Sequence, residues 1–218
     1  MTIGLVVPVF KNFPGFAELI ESVDEAVVPI IIPNWRDNLG VSKGWNAGMA
    51  IAISKGIETV IIVGDDVVFR PQTISKITTP LDKHLLVTAT NERDGGGEVD
   101  EVYVEAPDYS CFAIRPADFV NTVGWFDENF TPAYFEDNDM AYRVKLAGKT
   151  QMRRLDAPMF HKGSVTQNWG GTTYVTTPMF EKNRYYYESK WGGSPGAETF
   201  TSPFDNDTIG LLDRVDVK

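Results

Sequence analysis

Cysteine is nearly absent from this sequence. Cys111 stands alone, so no internal disulfide can form and a cysteine-rich zinc site is excluded. With no signature of an oxidising compartment, a cytoplasmic setting is the expectation. Histidine is almost as scarce, with only His84 and His161. No stretch reaches the roughly 18 consecutive apolar residues of a membrane span, so no transmembrane segment is expected. The opening Met1-Thr2-Ile3-Gly4-Leu5 has no basic region leading into a long apolar run, so no signal peptide is expected. Positive charge is also short: 20 Lys and Arg face 30 Asp and Glu, a formal net charge of −10. Coating nucleic acid and charge-driven attachment to anionic lipid both require a basic face, so neither partner is expected. A phosphate-bearing small molecule stays open, because a divalent cation inverts the local field. Two nucleotide-binding signatures are missing: G-x-G-x-x-G after a strand, and the P-loop.

The 218 residues are 43% apolar, enough for one α/β domain with a real core. Residues 3–9 form a short apolar run rich in β-branched side chains, which predicts a buried strand. Phe16, Leu19, Ile20 and Val23 make a helical stripe across 13–23. Residues 27–32 read as a second strand. Ser42 is placed to cap a helix running to Lys55, with Gly56 just beyond its end. Residues 59–63 are a third buried strand, closed by Gly64-Asp65-Asp66. This β-α-β-α-β order predicts a mostly parallel central sheet covered by helices on both faces, with ligands beyond the carboxyl ends of its strands. The second half is less regular. Helices are expected at 71–79, 135–146 and 180–191, and strands at 84–90, 101–105 and 111–115. A mobile loop is expected at 91–100, around Gly95-Gly96-Gly97. The Gly- and Pro-rich residues 192–218 are expected to form an extended C-terminal arm, leaving 1–191 as the domain.

Three places could carry chemistry. Asp65 and Asp66 follow a buried strand directly, so they are either turn-forming acids or ligands for a hard cation at the mouth of the sheet. Glu136 and Asp137 lie four and three residues before Met140, on the side of the apolar stripe Met140, Val144 and Ala147. They therefore face the domain body at the positive end of a helix, where a single capping acid would suffice. Asp139 can pair with Arg143 four residues on, as ordinary surface support. His161 closes the apolar segment Pro158-Met159-Phe160 and is either structural or a ligand; His84 has no companion motif and reads as structural.

Together these segments resemble the family 2 glycosyltransferases with the GT-A fold, a single Rossmann-like domain. The resemblance runs from Ile3 to about Trp191. It rests on Val6-Val7-Pro8-Val9-Phe10-Lys11-Asn12, then Asn38-Leu39-Gly40 and Asn46-Ala47-Gly48, then Gly64-Asp65-Asp66-Val67-Val68. It continues through Gly124-Trp125-Phe126-Asp127-Glu128, Tyr134-Phe135-Glu136-Asp137-Asn138-Asp139 with Arg143, and His161-Lys162-Gly163-Ser164. Some relatives, including phage-encoded ones, carry an aromatic ending similar to Tyr185-Tyr186-Tyr187 and Lys190-Trp191-Gly192-Gly193.

The resemblance implies a metal-dependent, inverting hexosyl or deoxyhexosyl transfer from a UDP-, GDP- or dTDP-linked sugar to a glycan, lipid-linked or protein hydroxyl. Pro8, Val9 and Asn12 would line the nucleotide pocket, with Asn34, Asn38 and Lys43 near the base, ribose or phosphates. Asp66 and His161 would hold Mn²⁺ or Mg²⁺, with Asp65 beside the ribose or metal. Asp137 would be the general base, Glu136 would orient the acceptor or Asp137, and Trp125 and Tyr134 would offer flat faces to a sugar. Two positions depart from the family. Pro33-Asn34-Trp35-Arg36-Asp37 stands where relatives place an acidic residue after the second strand, and Gly64 stands where a D-x-D motif has its first acid. Two other readings compete. A nucleotidyltransferase would need a basic glycine-rich loop after the first strand, where Phe10-Lys11-Asn12-Phe13-Pro14-Gly15 offers one lysine and one glycine. A non-catalytic nucleotide- or carbohydrate-binding module would have no use for the pair Glu136-Asp137. The aromatics near the end of the chain are expected to pack a helix on the sheet, or to close over an acceptor.

Overall fold

Runs of Val and Ile build the sheet that the sequence promises. In the computed structural model, which describes residues 2–94, 103–104, 109–163 and 178–208, strand β1 (Ile3–Val9) pairs in parallel with β2 (Val28–Pro33) and β3 (Thr59–Val63). Helices α1 (Phe13–Glu21) and α2 (Val41–Ser54) make the crossovers. Beyond β3 the chain adds β4 (Val67–Phe69), α3 (Thr73–Thr78), β5 (Leu86–Asn91), the short β6 (Tyr103–Val104) and β7 (Cys111–Ile114). It ends with α4 (Pro116–Val123), α5 (Glu136–Leu146), β8 (Gln151–His161) and α6 (Pro178–Trp191).

The eight-stranded sheet has the order β2-β1-β3-β7-β5-β8-β4, with β6 beside β8. Strands β1, β2, β3, β5 and β8 share one direction, while β7, β4 and β6 run against them. The fold is therefore α/β with a mostly parallel sheet, as expected. Side chains alternate along β1: Val6 enters a core with Trp45, Met49, Phe119 and Met140, while Leu5 and Val7 enter a second core with Leu19, Ile74 and Ile77. Helices α2, α4 and α5 thus cover one face, and α1 and α3 the other. A side chain on Gly48 would put its Cβ 2.1 Å from Val6 Cγ1, so that glycine is what lets α2 lie directly on β1.

Several local expectations change. Helix α2 begins at Val41 behind Gly40, whose φ of 81° suits glycine. Ser42, expected as the cap, sits inside the helix with its Oγ lacking any hydrogen-bond partner. The aromatics of α6 do not pack on the sheet. Tyr187 and Trp191 join Phe130, Phe135 and Tyr142 in a third cluster that ties α6 to α5 and its approach loop. After α6 the chain returns to it, with the Thr199 and Phe200 amides donating to Trp191 O and Tyr142 OH donating to Phe200 O at 2.9 Å. The glycine run 95–97, most of the strand expected at 101–105, Ser164 and the tail beyond 208 lie outside the described residues. Among the described residues no helix is long and apolar enough to cross a membrane.

Candidate active site

The carboxyl ends of β1, β2 and β3 open into a cavity of about 420 Å³. Its floor and walls come from distant segments: Pro8 at the end of β1 and Phe10 just after it, Asn34 and Asn38 after β2, Trp45 on α2, and Gly64-Asp65-Asp66 after β3. Gly40-Val41, Tyr109-Ser110, Pro132-Ala133-Tyr134, Glu136-Asp137 and His161 complete it.

Asp65 is fixed rather than free. It accepts the Phe10 amide at 2.9 Å, and Asn12 Nδ2 reaches its backbone oxygen at 3.0 Å. Burial pushes its carboxyl up to about 6, against the lowering effect of the Phe10 and Asn12 hydrogen bonds, and the Asp66 charge adds to the rise. Asp66 faces His161, with Oδ1 3.3 Å from Nε2. The antiparallel pairing of β4 with β8 creates that meeting, because it sets Val67 opposite His161. Gly64 has its own physical reason. A Cβ there would stand 2.9 Å from Asp66 Oδ1, so an acid at this position would displace the carboxylate that faces the histidine.

The other acids arrive on an unusual turn. Tyr134 and Phe135 have φ of 77° and 73°, a left-handed region that costs a non-glycine residue on the order of 1–3 kcal/mol. This turn launches α5 so that Glu136 and Asp137 line the cavity. Glu136 is buried, its Oε2 has no hydrogen-bond partner, and burial followed by the charge of Asp137 pushes its carboxyl well above the usual range. Asp137 is half-buried, and its Oδ1 accepts the Asn138 amide at 2.8 Å.

Asp139 is not the surface acid its spacing implied. It does pair with Arg143, at 3.1 Å, but both are buried, and Lys190 Nζ lies 2.6 Å from the same carboxylate. Burial alone would raise Asp139; the charges of Lys190 and Arg143, with hydrogen bonds from Lys190 and Trp191, hold it below the ordinary carboxylate range. Arg143 also donates to the backbone oxygens of Val123 and Trp125. Asp127 is buried too, accepting from Lys190 at 2.7 Å and Tyr186 at 2.9 Å.

Of the residues singled out from sequence, the cavity gathers Pro8, Asn34, Asn38, Asp65, Asp66, Tyr134, Glu136, Asp137 and His161. Val9 lies in the core beneath it, and Asn12 stands behind Asp65. Lys43 is exposed and Trp125 is half-buried against the α2 core; neither lines the cavity. Sequence reasoning missed Trp45, Tyr109 and Ser110 as lining residues. Nothing in the local pattern sets Trp45 apart from the other apolar residues of α2. Tyr109 and Ser110 reach the site because β7 pairs antiparallel with β3, with Val63 opposite Cys111, and no local pattern reveals that. Tyr109 OH bonds Gln151 Oε1 at 2.6 Å, and burial pushes its phenol well up. Asn46, noted as half of an N-x-G pair, is buried and ties α2 to the loop before α5: it donates to Phe126 O and Glu128 Oε1 and accepts the Phe126 amide.

Among the described residues no group of three His, Cys, Asp or Glu could by itself hold a metal ion. The pair Asp66–His161 nevertheless fits a divalent cation completed by its substrate. One carboxylate oxygen and one imidazole nitrogen are adjacent and border the cavity, and Mg²⁺ or Mn²⁺ commonly takes its remaining ligands from phosphate and water.

No family model and no curated protein matches the chain. Solved structures do resemble it. TarS 1–349 from S. aureus superimposes with a TM-score of 0.53 at 14% identity, covering 75% of this chain and 61% of that one. GalNAc-T7 with UDP, GalNAc and Mn²⁺ gives 0.59 at 9% identity, over 88% and 48%. The catalytic domain of Drosophila β1,4-galactosyltransferase 7 with xylobiose gives 0.57 at 13%, over 94% and 83%. This chain therefore spans less than two thirds of the TarS structure and about half of GalNAc-T7. The shared feature at such identities is architecture: the chain has a GT-A-like glycosyltransferase fold.

Proposed function

We propose that this protein is a metal-dependent, inverting glycosyltransferase of the family 2 kind, acting on a nucleotide-diphosphate sugar and an acceptor hydroxyl. The observation that carries the reading is that one cavity at the strand ends gathers Asp66 with His161 and also Glu136 with Asp137. The fold neighbours support it. TarS has been solved with UDP and with UDP-GlcNAc, and GalNAc-T7 with UDP, GalNAc and Mn²⁺.

In this reading the donor lies along Pro8, Asn34, Asn38 and Asp65. A divalent cation held by Asp66 and His161 would neutralise charge growing on the departing diphosphate. Asp137 accepts the proton of the acceptor hydroxyl while its oxygen bonds to the anomeric carbon and the bond from that carbon to the diphosphate breaks. Attack opposite the leaving group inverts the anomeric centre. Glu136, pushed toward its neutral acid, has a proton to donate and orients the acceptor oxygen. Trp45, Tyr109 and Tyr134 supply flat faces suited to a sugar ring.

The test begins with a thermal-shift screen of UDP-, GDP- and dTDP-sugars with Mn²⁺, because a ligand of the native state raises its stability. With the stabilising donor, Asp137→Asn should lower transfer by about 10²–10⁴-fold, the typical contribution of a general base, while nucleotide binding persists. Transfer at the wild-type rate would remove Asp137 from the mechanism.

A further inference from the structure

Helix α6 contributes no residue to the cavity wall, yet it holds the turn that delivers the two acids. Asn183 is fully buried on it, and its Nδ2 donates to Ala133 O at 2.9 Å and Tyr134 O at 3.2 Å. Its Oδ1 has no hydrogen-bond partner. The opposite amide orientation would set that oxygen against two carbonyl oxygens, so the donor role is the only one the surroundings allow. A buried, unsatisfied acceptor is tolerated here in exchange for two bonds to one short stretch of backbone.

That stretch is the one under strain. Tyr134 and Phe135 both take left-handed φ, and Glu136 and Asp137 follow at once. Phe180, one helical turn before Asn183, packs on both rings, with centroids 5.3 Å from Tyr134 and 5.2 Å from Phe135. Two turns beyond Asn183, Lys190 Nζ and Trp191 Nε1 meet Asp139 Oδ1 at 2.6 and 2.8 Å. One face of α6, at 180, 183, 187, 190 and 191, therefore grips α5 just before and just after Asp137.

We propose that Asn183 is a positioning residue that holds the left-handed Tyr134–Phe135 turn and so sets the reach of Asp137 toward the acceptor. Its consequence for rate rests on the glycosyltransferase reading above. The hold on the turn does not. Removing the two hydrogen bonds frees the turn to relax toward ordinary φ, which swings the start of α5 and misplaces the carboxylate by a fraction of its reach. Misplacement on the order of 1 Å costs about 10²-fold in rate without touching donor contacts.

The experiment uses the full chain. Asn183→Ala, and Asn183→Leu in case alanine fails to fold, are compared with wild type by release of nucleotide diphosphate during transfer from the sugar nucleotide found in the thermal-shift screen, with Mn²⁺. The expected result is a kcat lower by about 10–10²-fold with donor KM within about twofold. The fall in kcat at nearly unchanged donor KM is a split that a purely stabilising residue would not show. Amide hydrogen exchange across 133–139 should quicken in both single variants. A folded variant with wild-type kcat, or one with unchanged exchange at 133–139, overturns the proposal. If wild-type protein turns over none of the sugar nucleotides, the glycosyltransferase reading is what fails, and hydrogen exchange still decides whether Asn183 holds the turn.

Discussion

Glu136 is an acid whose burial changes its chemistry. Its folded pKa is raised, by burial first and by the charge of Asp137 second. Between the ordinary glutamate value and that higher one, the folded state binds a proton that the unfolded chain has released. Stability linked to this group is thus fully present in acid and falls as pH rises through the window. Glu136→Gln keeps the shape and removes the titration. Its melting temperature should exceed wild type at pH 8, and the advantage should vanish below pH ~4.5, the ordinary glutamate range. A melting-temperature difference that is flat from pH 4 to 8 would show that Glu136 titrates normally. Transfer should fall in the same variant if the carboxyl orients the acceptor, so stability and activity move in opposite directions, as at sites where strain or unpaired polarity serves function.

At the scale of elements, the first half of the chain was readable because each piece carries its own signal. Apolar β-branched runs alternating with amphipathic helices gave β1 to β3 and their crossovers almost residue for residue, and Gly64-Asp65-Asp66 fell at a strand end as parallel sheets require. The second half was less readable because β4, β7 and β8 acquire meaning only by pairing. Three residues at Val67–Phe69 are too few for a period, yet their ladder with β8 is what seats His161 beside Asp66. Helix α4 went unnoticed although Pro116 at its start and Gly124 after its end are the usual punctuation. Asp139 and Arg143 looked like surface support because an i, i+4 charge pair does so by default, and nothing near them in sequence shows that Lys190 will close over them.

That closure yields a prediction for the α5–α6 pair. Lys190 is the cation shared by Asp127 and Asp139, all three buried. Lys190→Met preserves much of the length and leaves Asp127 without its buried cation. Breaking a buried pair from one side costs about 3–5 kcal/mol, whereas an exposed pair such as Arg184–Glu181 contributes little. Denaturant melts of Lys190→Met and Arg184→Met should differ by several-fold in destabilisation. Similar small losses in both would mean that the α5–α6 contact is held by its aromatic cluster alone.

The whole molecule brings together two half-sites that the chain encodes far apart. Asp66 and His161 are assembled by the β3–β4 turn and the end of β8, while Glu136 and Asp137 are delivered by α5 under the grip of α6. In the proposed mechanism the first half holds the donor through a cation and the second handles the acceptor proton, so the two should fail separately. With UDP or whichever nucleotide binds, Mn²⁺ should raise the melting temperature, since a ligand at about 100 times its Kd stabilises by roughly 2.7 kcal/mol. Chelation should remove most of that shift in wild type. Asp66→Ala should show only the chelated response, with or without Mn²⁺, because its loss leaves only His161 of the proposed ligand pair. Asp137→Asn should keep the full metal-dependent shift while losing transfer. A nucleotide-induced shift that survives both chelation and Asp66→Ala would break the link between that carboxylate and the metal, and would move recognition of the diphosphate to other parts of the chain.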